Sequence, residues 1–169
     1  EINLKKINNK FEISMKFLIY IVVLISILAF SSAWKQVEHS DGKELLHILE
    51  GGYYQDGGLH RIYVILFYNP GVGSENLQAK NDEYRAAIKS QILDRWPNIY
   101  YTEVDATDKD YVKFAEDVIG VNTAELVHAP SVLIMEYGQG VWIHGPEAVA
   151  RIARYVPAYV ERARLARKQ

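Results

Sequence analysis

The sequence predicts an α/β protein, a mixed β-sheet flanked by helices, and three observations carry that expectation. The run RIYVILFY over residues 61–68 has no polar alternation between Val64 and Phe67. Such a run describes a strand buried on both faces, inside a sheet with helices on either side. Helical and strand patterns then alternate in the order α, β, α, β, α, β, β, α, and a βαβ unit implies a crossover between parallel strands. The last two strands are separated only by Gly138-Gln139-Gly140, so they return as an antiparallel hairpin.

Each element has its own local signature. Ser40-Asp41-Gly42 marks a helix start, KELLHILE follows with Leu45, Leu46 and Leu49 on one side, and Gly51-Gly52 stops it. YYQDGG is a turn before the 61–68 strand. Residues 74–93 place Leu77, Tyr84, Ile88 and Ile92 at helical spacing behind Ser74, a natural N-cap, and Trp96-Pro97-Asn98 ends the helix. Ile99 to Val104 is the next strand and leads into Asp105. DYVKFAEDVIG, capped by Thr107 or Asp108, is expected to be helical and to close at Gly120. A polar loop precedes the strand SVLIMEY at 131–137 and the returning strand Val141-Trp142-Ile143. Gly145-Pro146-Glu147 opens the last helix, with Val149, Ile152, Val156 and Val160 as its apolar positions. Pro157 falls inside that pattern and is expected to kink or divide the helix.

The chain divides into three parts: a polar segment 1–15, an apolar segment 16–34 and the folded domain 35–169. From Phe17 to Trp34, FLIYIVVLISILAFSSAW has no charged residue, and at about 1.5 Å per residue it spans a bilayer core. Lys16 precedes it and Trp34-Lys35 follow, a residue order common at membrane interfaces. The expectation is a retained single-pass transmembrane anchor, with lipid around residues 17–34. The preceding lysines stay on the cytoplasmic or matrix side and residues 35–169 lie across the membrane. Met15-Lys16, the apolar stretch and Ser31-Ser32-Ala33 also fit a cleavable secretory signal over 15–33, which is the competing expectation.

Composition narrows the function classes. The net charge is −2 with 24% charged residues, so there is no nucleic-acid footprint. Residues 1–34 carry Lys5, Lys6, Lys10 and Lys16 against Glu1 and Glu12, a net of +2 that leaves −4 for the remainder. Twelve tyrosines and a hydrophobic fraction of 49% describe a folded globule. With no cysteine, disulfides, thiol nucleophiles and cysteine-held metals are excluded. His39, His47, His60, His128 and His144 sit on five different elements without ligand spacing, so no metal site is expected, although His128 and His144 could approach each other. Gly71-Val72-Gly73 is too short for a phosphate loop and lacks its lysine. Ser74 beside Glu75 has no histidine near in sequence to serve as base, so it is assigned as a helix cap.

Four segments in order carry a family resemblance. IYVILFYNPGVGSENL is similar to a core strand entering an active-site loop of the Phe-Tyr-x-Pro type. IYYTEVDAT resembles a second central strand ending in an Asp-bearing sequence. HAPSVLIMEYGQG resembles a cis-proline loop followed by a β-hairpin, and HGPEAVARIARYV a terminal helix. Together they resemble the thioredoxin superfamily across about residues 41–163. The resemblance implies that Val72 and Glu75 stand where the family's two redox cysteines would be. The loop Pro70, Gly71, Val72, Gly73, Ser74 and Glu75 is then a degenerate active site without a thiolate to exchange disulfides. It also implies a cis-proline at Pro130, whose Ala129-Pro130 groove could pair with an extended peptide.

The expected function is therefore that of a non-catalytic, membrane-anchored accessory or scaffold subunit, without cofactor, whose partners are other subunits of a membrane complex. The first expectation for the complex is a respiratory-chain assembly of the mitochondrial inner membrane, with the domain in the intermembrane space. The absence of an Asn-x-Ser/Thr sequon removes one mark of the secretory route. The alternative is a peptide-binding, chaperone-type protein of the endoplasmic reticulum lumen. Arg162, Arg164, Arg167 and Lys168 form a basic helix end, suited to the helix C-terminus and to anionic lipid or an acidic neighbour. Tyr53, Tyr54, Tyr100, Tyr101, Tyr155 and Tyr159 could supply protein contacts.

Overall fold

A strand buried on both faces must lie inside its sheet, and Ile62–Tyr68 (β2) does, flanked by a parallel neighbour and an antiparallel one. The computed structural model describes residues 34–51 and 60–166. Its five-stranded mixed sheet has the order β1-β3-β2-β4-β5, with β1 at Lys35–Gln36, β3 at Ile99–Asp105, β4 at Ser131–Glu136 and β5 at Gln139–His144. The first three strands run parallel, and β4 and β5 are antiparallel to their neighbours. The register sets Ile62 beside Ile99 and opposite Glu136, and Phe67 beside Val104 and opposite Ser131.

Strand alternation sorts the core into two layers. Ile62, Val64, Leu66, Val132 and Ile134 face helices α2 (Glu75–Ile88) and α3 (Ala148–Ala166), which bury Tyr84, Ile88, Ile152 and Val156 there. Tyr63, Ile65, Phe67, Leu133 and Met135 face α1 (Gly42–Leu49) and the helical segment Phe114–Ile119. The Asp41 side chain caps α1, accepting from the amides of Lys43 and Glu44 at 2.8 Å each. Gly42 is required for packing: a Cβ there would stand 2.5 Å from Cβ of Phe114.

Several local expectations change. The helix beginning at Ser74 widens to π-helical geometry over Lys89–Leu93, where the Asp94 amide reaches the Lys89 carbonyl five residues back. The wider turn turns both Ile92 and Leu93 into the core. DYVKFAEDVIG is not an ordinary α-helix. It begins with turns and widens over Phe114–Ile119, although Gly120 closes it in the left-handed conformation, φ 80°. The polar loop contains a 3-10 turn at Thr123–Val127, capped by Asn122. The hairpin turns at Tyr137-Gly138, φ 51° and 68°, rather than at Gly138-Gln139-Gly140. Two consecutive positive φ values match the right-handed twist of the flanking strands. Gly140 serves packing instead, since a Cβ would lie 2.5 Å from the Ile134 carbonyl oxygen.

Pro157 does not divide the last helix, which runs unbroken from Ala148 to Ala166. Val156 and Ala163 on either side of it are both buried, and their packing outweighs the lost backbone hydrogen bond. That helix opens at Ala148, after Pro146, rather than at Pro146 itself. Trp34 packs edge-on against Tyr101, 5.7 Å between ring centres, and Lys35 begins β1. Among the described residues no helix is long and apolar enough to cross a membrane. The stretch 17–33 lies outside them, as do Tyr53, Tyr54, Arg167 and Lys168.

Candidate functional site

The corner after β2 is built by three hydrogen bonds that converge on Gly71. The Asn69 side chain accepts from the Gly71 amide at 2.8 Å, the Asx-type contact that starts a turn. The Ser74 amide donates to the Gly71 carbonyl at 2.8 Å, and Nε2 of Gln78 donates to the same oxygen at 3.1 Å. Gly71 and Gly73 both hold positive φ, 67° and 80°. A Cβ on Gly71 would come within 2.9 Å of Leu77, so that position is fixed by conformation and space together. Ser74 caps α2, its Oγ accepting from the Leu77 amide at 3.4 Å, and Glu75 provides an acid in the first turn. The corner thus presents Val72, 92% exposed, between two glycines and a capping serine.

The sheet brings the second predicted segment beside this corner. Phe67 pairs with Ser131, so Tyr68 and Asn69 leave β2 where Ala129-Pro130 enters β4. The Ala129–Pro130 bond is trans, because no peptide bond among the described residues is cis. The expected cis-proline is therefore absent. The chain enters a straight, paired strand at once, and trans is the favoured X-Pro isomer by about 0.5–1 kcal/mol. Ala129 is 8% exposed and supports the core under α2.

A cavity of about 380 Å³ adjoins this segment, lined by Lys80, Tyr84, His128, Ala129, His144 and Gly145 among others. His128 and His144 both line it. Nδ1 of His144 lies 3.2 Å from Oγ of the fully buried Ser131, and Nζ of Lys80 donates to the His128 carbonyl at 2.9 Å. The Tyr84 hydroxyl donates to the Gly145 carbonyl, and burial, with Glu83 adding to it, raises that phenol's pKa. Among the described residues no group of three or more histidines or acids is placed to hold a metal ion.

Sequence reasoning missed three polar features. Asn81, only 2% exposed, donates from Nδ2 to the Asn69 carbonyl at 2.8 Å, while its Oδ1 has no partner. Its place four residues after Leu77 was the available signal, masked by its polarity. Beneath Tyr68, the Tyr101 hydroxyl donates to Oε1 of Glu103, whose Oε2 accepts from Nε of Arg85 at 2.7 Å. Burial first, then Glu103, pushes the Tyr101 phenol pKa far up, so it stays a neutral donor. His39 bridges Thr102 and Tyr111, with Nε2 at 2.7 Å from the first hydroxyl and Nδ1 at 2.8 Å from the second. No spacing in the sequence links those three positions.

Chemically, the corner offers backbone shape, one exposed aliphatic side chain and a carboxylate, and the Ser74 hydroxyl is occupied as a cap. No protein-family model matches the chain, and no curated protein matches it.

Proposed function

We propose that this chain is a non-catalytic, thioredoxin-like accessory or scaffold subunit of a larger membrane complex, tethered through residues 17–34. The observation that carries the reading is the corner 69–75. A central strand, a tight turn and the start of a long helix meet there, with Val72 exposed and Glu75 in the helix's first turn, and under the thioredoxin resemblance these two residues would stand where the redox cysteines do. Disulfide exchange requires a thiolate attacking sulfur, and neither side chain can substitute. Support for the thioredoxin-like part comes from the strand order, with β2 central and a parallel-to-antiparallel change at β4, and from helices on both faces. What remains useful is surface. We place the complex in the mitochondrial inner membrane, as part of a respiratory-chain assembly, with this domain in the intermembrane space.

The test is extraction of the native membrane in mild detergent, followed by sedimentation and mass spectrometry of the mature N-terminus. A large co-migrating assembly whose subunit retains residues 17–34 supports the reading. A free chain starting near Trp34 overturns it.

A second reading is favoured by the cavity beside Ala129-Pro130. There the chain would be a peptide-binding, chaperone-type protein of the endoplasmic reticulum, holding an extended segment against the entry to β4. A free chain that binds unfolded peptide, with affinity lost on filling the cavity by Gly145→Trp, supports that alternative.

A further inference from the structure

The two edges of the sheet are built differently. One edge is β1, two residues long with Lys35 in it, and past it β3 runs on with Glu103 and Asp105. Shortness and charge are the usual devices that keep a strand edge from pairing with another chain. The other edge is β5, Gln139–His144, six residues joined to β4 in unbroken register. It carries no aspartate, glutamate, lysine, arginine or proline. The two-residue turn closes on the pair Glu136–Gln139, which sets the alternation of the ladder. Gln139, Val141 and Ile143 direct their backbone groups to β4, whereas Gly140, Trp142 and His144 direct theirs outward. Among the described residues no strand pairs with that outer edge, and no backbone bond outside the ladder reaches it.

We propose that this edge is a dimer interface, in which β5 of one copy pairs antiparallel with β5 of a second about a two-fold axis at Trp142. An axis perpendicular to the sheet requires residues of the same face to lie opposite each other. Centring it on Trp142 does so: Trp142 meets its own counterpart, Val141 meets Ile143, and Gly140 meets His144. The residues whose backbone groups point outward then oppose one another, so each free N–H finds a free C=O. Val141 and Ile143 continue the apolar layer under α3 across the axis, and Trp142 continues the layer under α1. A symmetric ladder sets like beside like, so a charged strand would repel its own copy and an uncharged one does not. The same neutrality gives a charged partner nothing on this edge to select. Each chain offers one such edge, so the pairing closes as a dimer and does not propagate. It involves residues 139–144 and is independent of any tether at 17–34.

Light scattering on the full-length chain in mild detergent, over a range of concentrations, is expected to show the protein mass doubling as concentration rises. Because the chain has no cysteine, single thiols report the register. Across a hydrogen-bonded antiparallel pair the Cα atoms lie about 5.5 Å apart, within disulfide range. Trp142→Cys is expected to form an intermolecular disulfide several-fold faster than Tyr137→Cys or Val72→Cys, although Trp142 is the least exposed of the three positions. Trp142→Lys and Trp142→Glu are each expected to be monomeric alone and to form a heterodimer when mixed, since opposite charges then meet at the axis. A single-chain mass at every concentration overturns the proposal, including the case in which a strand of another protein occupies β5. A dimer that survives Trp142→Lys, as association through residues 17–34 would, also overturns it, and so does equal cross-linking of the three thiols. Circular dichroism checks that the charged variants fold, and where one does not, the Trp142→Cys cross-link decides.

Discussion

Arg162 on α3 donates from Nε to Oε2 of Glu136, 2.5 Å away, and Glu136 is 2% exposed while Arg162 keeps half its side chain in water. Nδ1 of His60 lies 3.5 Å from the other oxygen of the carboxylate. The pair ties the end of the last helix to the close of β4 across 26 residues of sequence. Removing the arginine leaves a buried acceptor short of its strongest donor. Arg162→Ala is expected to cost about 2 kcal/mol in urea unfolding. Glu136→Leu combined with Arg162→Ala is expected to be more stable than Arg162→Ala alone, because no buried charge is then left behind.

His39 predicts an acid-sensitive term. Burial lowers its pKa below the ordinary 6.5, with Glu44 and Asp41 opposing that shift. The unfolded chain therefore binds this proton more tightly than the folded one. The stabilisation is fully present above pH 6.5 and is lost as pH falls from there through the folded-state pKa. Urea midpoints measured from pH 7.5 to 5, roughly the window in which histidine titrates, should fall with pH, and His39→Gln should flatten that slope.

Gly71 and Gly73 separate conformational strain from collision. Both hold positive φ, but only Gly71 faces a neighbour, Leu77, where a Cβ would go. Gly73→Ala is expected to cost about 1 kcal/mol, the left-handed penalty alone. Gly71→Ala is expected to cost about 2–3 kcal/mol, because Leu77 has to shift as well. Thermal unfolding of the two variants checks the order.

Restoring sulfur at the corner tests the thioredoxin-like reading. Val72→Cys with Glu75→Cys places one thiol on an exposed turn and the other in the first turn of α2, where the helix dipole favours a thiolate. The double variant is expected to form an internal disulfide under mild oxidation and to reduce insulin measurably above either single variant. No internal disulfide in the folded double variant would remove the main support for that reading.

Pro157 sits on the exposed side of α3, and its ring removes one helical hydrogen bond. Pro157→Ala is expected to stabilise the fold by about 1–3 kcal/mol, visible as a raised melting temperature.

Much of the fold was legible because its periodicities are long and uninterrupted. The continuous run of β2, the Ser74 cap with its helical stripe and the β4–β5 return each carry several residues of consistent signal. β1 was not legible, since two exposed residues beside Tyr100 and Tyr101 make no pattern of their own. The widened turns at Lys89–Leu93 and Phe114–Ile119 depend on which carbonyl an amide reaches, which side-chain spacing does not record. The corner 69–75 could be placed from its Asn, Pro and Gly residues. The buried Asn81 could not, because its partner, the Asn69 carbonyl, is brought to it by the fold and not by helical spacing.

The shortness of β1 has a mechanical consequence. Tension applied through the chain ahead of Trp34 reaches the domain first at Lys35–Gln36, the Val37 amide bonded to the Tyr101 carbonyl, and the Trp34–Tyr101 ring contact. These are few and lie at the sheet's margin, so they would peel away under load before β2 and β4 feel it. The domain has a built-in slack of a few residues, a shock absorber between any pulling tether and its folded interior.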